Sequence, residues 1–209
     1  MGGNPHQGRR RDACAPGASP PARIDRVTDR RPDGYRERPA GGPTLRADVV
    51  EVYIVRRPAP APAGATGQLA DVAFLQLRRT REPLRDTWQP VMGHIEAGER
   101  ATACALRELR EETGLSPDHP ACRGVWALEQ VHPYFVAAID SVVLSPRFVA
   151  EAAHDWEPTL DASHDAHRWV KRAGAHGAFL WPGQRAAIDE IVRDILPETS
   201  PVRERLRVG

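Results

Sequence analysis

A chain of 209 residues, 41% hydrophobic and 27% charged with a net charge of +1, has the makeup of one globular domain plus an appendage. No apolar run reaches the roughly 18 residues that span a bilayer, and the arginine-bearing N-terminus lacks an apolar block of signal type, so a cytoplasmic location is expected. Residues 1–46 hold ten arginines against five acidic residues while the remainder holds 19 basic against 23 acidic, a balance that disfavours nucleic-acid binding by the body of the protein.

Residues 1–46 are rich in Gly, Pro, Arg and Asp and poor in apolar side chains. Such a segment buries too little surface to offset its ordering entropy and is expected to be a disordered tail, with a basic arm for RNA or acidic partners as the alternative. Order is expected from Ala47 to about residue 200, with 201–209 a flexible end. Val49–Val55 is β-branched and apolar and reads as a buried strand. A Pro/Ala/Gly loop over 58–67 leads to Val72–Leu77, a strand that pairs back, and a turn near 82–86 leads into Trp88–Gly93. Ala101–Thr113 consists of good helix formers, with Gly114 placed as C-terminal cap and Leu115 after it. Val125–Val131, Ala137–Val149 and Arg168–Val170 supply further strands, and a closing helix runs from Pro182 to Ile195. Strands on both sides of a central helix suggest a mixed sheet covered by helices on two faces. Three cysteines, Cys14, Cys104 and Cys122, have no ligand-like spacing, which argues against a disulfide framework or a zinc site.

The chemistry is concentrated between Gly93 and Leu115. Glu108, Glu111 and Glu112 stand at i, i+3 and i+4, one face of a helix. Like charges at that spacing repel, and a cation between them reverses the sign. The alternative is a solvated face paired with Arg107 and Arg110. The preceding run Gly93-His94-Ile95-Glu96-Ala97-Gly98-Glu99 carries glycines that let backbone approach a ligand closely, and Ala105, Leu106 and Leu109 offer the other side for burial. Hard oxygen ligands of this kind suit magnesium, which keeps waters and substrate phosphate oxygens beside one or two carboxylates.

Gly93, five residues, Glu99, seven residues, Arg107-Glu108-Leu109, one residue, Glu111-Glu112, one residue, Gly114-Leu115 resembles a complete Nudix box. Chance agreement is on the order of one in a billion per starting point, which removes coincidence as an explanation. The resemblance covers residues 47–196 and implies an α/β/α sandwich with a mixed β-sheet and a loop-helix-loop metal site. It implies that Glu108, Glu111 and Glu112 bind Mg2+, or Mn2+, and serve catalysis. It further implies that Arg107 and Glu99 brace the loop, and that the carbonyl of Met92 or Gly93 adds a ligand. Members of this family hydrolyse nucleoside diphosphates linked to another group, and they often dimerise, so a homodimer is one expected assembly.

The runs Phe74–Arg79, Thr87–Gly93, His164–Val170 and Trp181–Ile188 are similar to the dihydroneopterin triphosphate pyrophosphatase, or dATP pyrophosphohydrolase-like, subgroup. That resemblance implies a nucleotide-like small-molecule substrate cut to a monophosphate and pyrophosphate. Arg78 would contact phosphate, against the alternative of a solvated strand end. Trp88 would stack on a base or pterin ring, against the alternative of a core or rim position. His94 is not expected to bind magnesium, and His132, His164 and His167 are expected at surface or packing positions. One departure stands out: the subgroup's glutamate before His164, often a further metal ligand, is Ser163 here, with Asp161 or Asp165 as substitutes. Hydrolysis of ADP-ribose, nucleotide sugars or dinucleotides is the competing activity, and a non-catalytic nucleotide-binding module the competing class.

Overall fold

The computed structural model describes residues 41–59 and 71–208. Most of the expected tail, and most of the expected loop over 58–67, lie outside these residues. Regular structure starts with β1 (Thr44–Arg46), ahead of the expected boundary at Ala47, followed by β2 (Val49–Arg56) and β3 (Ala73–Arg79). Two short strands, β4 (Trp88–Gln89) and β5 (Val91–His94), lead to α1 (Ala101–Thr113). β6 (Cys122–Ala127), β7 (Tyr134–Val136), β8 (Ser141–Val143), β9 (Arg147–Ala152) and β10 (His164–Lys171) follow. The chain closes with α2 (Arg172–Ala178), α3 (Pro182–Glu190), a π-helical turn at Ile191–Ile195, and β11 (Arg207–Val208).

The main sheet has the order β10-β3-β2-β9-β6-β11, with β4 joined to β3 and β5 to β2, and a smaller sheet runs β1-β8-β7. β2 and β9 are parallel and their other neighbours antiparallel, so the sheet is mixed. Strand alternation sorts the core into two layers. Val50, Val52 and Ile54 of β2 pack with Leu75, Leu77, Ala105 and Leu109, on the face that α1 covers. Tyr53 and Val55 pack with Phe74, Ala175, Ala187 and Ile188, on the face that α2 and α3 cover. A strand covered on both sides reads as a near-continuous apolar run, as β2 does. The expected α/β/α sandwich is therefore the fold, with α2 as a third helix.

Three expectations are corrected. The strand expected over Val125–Val131 ends at Ala127, because the backbone N–H groups of Glu129 and Gln130 leave the ladder to donate to the buried Glu190 carboxylate at 2.7 and 3.3 Å. The strand expected over Ala137–Val149 is broken by a 3-10 turn at Ala137–Ile139, closed by Asp140 in the left-handed region at φ 43. The C-terminal end, expected to be flexible, pairs with the sheet as Arg207↔Trp126 and Val208↔Val125. Arg203 lies over the Trp126 ring at 4.2 Å and also donates to the Ile195 carbonyl, which anchors that end by interactions local sequence pattern does not reveal.

Candidate active site

The loop between β5 and α1 folds around one guanidinium. Arg107 Nε donates to Glu99 Oε1 and Nη2 to Glu99 Oε2, both at 3.0 Å, a fork-on-fork pair. Nη2 also donates to the His94 carbonyl at 3.0 Å, and Glu99 Oε2 accepts the Glu96 backbone N–H at 3.0 Å. Both ends of the loop are thus tied to the first half of α1. The hydrogen bonds from Arg107, then that from the Glu96 amide, hold the Glu99 carboxyl down at about 2. At the far end of α1, Gly114 adopts φ 76, its N–H donates to the Arg110 carbonyl at 2.8 Å, and Leu115 is fully buried behind it. Gly93 is needed for a different reason. A Cβ there would lie 2.0 Å from Cδ of Glu108, so only glycine lets this carboxylate rest against the end of β5.

The three helix carboxylates do not share one environment. At 3.6 residues per turn Glu112 falls between the Glu108 direction and the buried stripe of Ala105 and Leu109, so it turns inward. The Glu112 side chain is 9% exposed, that of Glu108 14% and that of Glu111 49%. Arg107 Nη1 draws Glu108 Oε1 to 2.7 Å and Glu111 Oε2 to 3.2 Å. Among the described residues no three His, Cys, Asp or Glu side chains converge to hold an ion by themselves. Oxygen donors nevertheless face one another here, and Glu112 Oε2 is buried without a hydrogen-bond partner. Burial first, then the charges of Glu108 and Asp161, push the Glu112 carboxyl up to about 9, and burial raises that of Glu108. A desolvated, unpartnered carboxylate beside further carboxylates fits a hard divalent cation, which would reverse both effects.

His164, expected at a surface or packing position, is buried, and it packs beside Glu112. It is 4% exposed, with Nδ1 4.0 Å from Glu112 Oε2 and 3.2 Å from Asp161 Oδ1, and Nε2 3.5 Å from Gln89 Nε2. A bulge on β10 produces this: His164 pairs with Arg79 and Ala166 with Arg78, which leaves Asp165 as the extra residue. Asp165 then turns outward and accepts from Arg78 Nε and Nη2 at 2.7 and 2.8 Å. No sequence signal marks a bulge of this kind.

Arg78 and Trp88 are cross-strand neighbours on the face opposite α1, since Leu77, one residue away, faces the α1 layer. The Arg168 guanidinium lies over the Trp88 ring at 4.3 Å. Arg78 and Trp88 therefore share one face of the sheet, Arg78 held by Asp165 and Trp88 covered by Arg168. A cavity of about 430 Å3 opens at the other end of β3, lined by Arg56, Asp71, His154, Trp169 and Lys171. It contains none of the carboxylates, and Arg56 and Lys171 are already paired with Glu157 and Asp71.

Residues 60–191 match the NUDIX domain family, which spans more than half of the chain. The chain belongs to the Nudix family. A curated relative, an octanoyltransferase from Myxococcus xanthus, is 31% identical to this Nudix chain over 121 residues, 56% of this chain. The match spans only 31% of that relative. The fold is similar to that of the C. elegans Ap4A hydrolase in a binary complex, with a TM-score of 0.54 and 17% identity over 69% of this chain and 94% of that one. It is also similar to the E. coli dihydroneopterin triphosphate pyrophosphohydrolase, with a TM-score of 0.51 and 20% identity over 70% of this chain and 98% of that one. At such identities the Nudix fold is what is shared. No helix among the described residues is long and apolar enough to cross a membrane.

Proposed function

We propose that the protein is a magnesium-dependent pyrophosphohydrolase, with manganese as an alternative ion, that cleaves a nucleoside triphosphate or dihydroneopterin triphosphate to the monophosphate and pyrophosphate. The observation that carries this reading is the inward Glu112 carboxylate, buried with one oxygen unpartnered beside Glu108, at the end of a loop braced by Arg107 and Glu99. Glu111 and Glu112 are assigned as ligands, and Glu108 as the base or a shared ligand. A bound divalent ion would offset charge on phosphoryl oxygens and lower the pKa of a bound water. Glu108, half-buried with its carboxyl raised by burial, is suited to take a proton from that water. Arg107 and Glu99 hold the loop so that Met92 or Gly93 presents a carbonyl as a further ligand. Arg78 is assigned to a substrate phosphate and Trp88 to the face of a base or pterin ring.

The choice of substrate is supported by the resemblance of Phe74–Arg79, Thr87–Gly93, His164–Val170 and Trp181–Ile188 to the dihydroneopterin triphosphate subgroup. Ser163, in place of that subgroup's glutamate, favours a second reading in which ADP-ribose, a nucleotide sugar or a dinucleotide is cut to two monophosphates. A screen of these compounds with magnesium, reading pyrophosphate directly and orthophosphate after phosphatase coupling, separates the two. Release of pyrophosphate from a triphosphate supports the first reading. Turnover seen only after phosphatase coupling supports the second, and no turnover of any compound refutes both in favour of a nucleotide-binding module.

A further inference from the structure

The cavity of about 430 Å3 at the far end of β3 is built on one row of the sheet. Ala73 pairs with Arg56 of β2 on one side and with Lys171 of β10 on the other. Direct cross-strand neighbours point to the same face, so one methyl group stands between two long cations whose backbones are about 10 Å apart. Trp169, two residues before Lys171, lies on that face as well, and all four residues line the cavity. Leu75 and Leu77 continue the same face of β3 as filled core, whereas the small side chain of Ala73 leaves a space.

The ion pairs around the cavity leave donors unspent. Arg56 gives Nη1 to Glu157 Oε1 at 2.7 Å and to the Trp156 carbonyl at 3.4 Å. Among the described residues its Nε and Nη2 have no hydrogen-bond partner, and that is the edge with which Arg78 and Arg107 each grip a carboxylate. The guanidinium lies over the Trp169 ring at 4.0 Å, and Trp169 Nε1 donates to Glu157 Oε2 at 2.8 Å, so this edge is held in place. Lys171 spends one of its three protons on Asp71. Both side chains of that pair are more than half exposed, so an anion can replace Asp71 at little cost.

We propose that this cavity is a second ligand site, which binds the phosphate group of a nucleotide-sized molecule between Arg56 and Lys171. A fixed Nε–Nη2 edge matches phosphate bidentately, and the ammonium on the opposite wall adds a point charge. The volume lies in the range of small-molecule sites, and the indole beside Arg56 gives the body of the ligand an apolar wall. Arg79, whose pairing partner His164 lies beside Glu112, is about 20 Å along β3 from Ala73, so occupation of one site leaves the other open.

The test is titration of the full-length protein with AMP in excess chelator, followed through the indole and guanidinium N–H signals by 15N NMR. The Trp169 indole and Arg56 Nε signals should shift saturably, and inorganic phosphate should compete with AMP. Arg56→Gln and Lys171→Gln should each weaken AMP by about tenfold or more, while Arg78→Ala, on the other face of the sheet, should leave these shifts unchanged. Ala73→Leu keeps every charge but fills the floor of the cavity, and should weaken AMP at least as much. Thermal melting shows which variants are folded, and Lys171→Gln, at an exposed position, keeps the test decisive if Arg56→Gln is not. Equal affinity in Lys171→Gln and wild type, shifts at Trp88 with Trp169 unmoved, or no saturable binding of AMP would each overturn the proposal.

Discussion

Replacing Gly93 with alanine puts one methyl group where the Glu108 side chain now rests, 2.0 Å from Cδ and 2.1 Å from Cγ. Gly93 does not need a positive φ, so the backbone tolerates alanine, and the atoms in conflict belong to a long flexible side chain. Glu108 is therefore expected to swing away rather than the strand to move. The stability cost is that of a poorer rotamer plus the bond to Arg107 Nη1, about 1–2 kcal/mol in total. The chemical cost is larger, because misplacing a reacting group by about 1 Å lowers turnover on the order of a hundredfold. Urea unfolding and magnesium-dependent hydrolysis, measured on the same preparations, should separate the two effects. Near-wild-type turnover in Gly93→Ala would refute the claim that glycine is there to seat Glu108. A loss of stability above about 3 kcal/mol would show instead that the strand had been forced apart.

Other variants probe the remaining parts. Glu112→Gln keeps shape while removing charge, so it should melt like the wild type and lose most magnesium-dependent turnover. Arg107→Lys removes the fork that grips Glu99, and should lower turnover at least tenfold while leaving far-UV circular dichroism unchanged. Arg78→Ala should raise KM with little change in kcat if this side chain binds substrate phosphate; equal KM values would assign it to Asp165 alone. Arg203→Ala removes the guanidinium over Trp126 and should lower unfolding free energy by about 1–2 kcal/mol with activity intact.

The box from Gly93 to Leu115 was legible because its residues interact within one loop and one helix: the Arg107–Glu99 brace and the Gly114 cap depend on spacing alone. The apolar run of β2 and the closing helix were legible for the same reason. Long-range partners were not. The inward turn of Glu112 follows from how α1 lies on the sheet, and the burial of His164 from a bulge in a strand paired with β3. The anchoring of β11 depends on Trp126, about eighty residues earlier in the chain. The pairing of Arg78 with Trp88 on the face opposite α1 is likewise a consequence of register that no single segment encodes.

The central claim is that the Glu112 carboxylate and its neighbours use a divalent ion to break a pyrophosphate bond. The most direct measurement is 31P NMR of a nucleoside triphosphate or dihydroneopterin triphosphate incubated with wild type and with Glu112→Gln, each with magnesium and with excess chelator. The account predicts a monophosphate and pyrophosphate only from the wild type with magnesium. Equal product from Glu112→Gln, or from wild type in chelator, would contradict it.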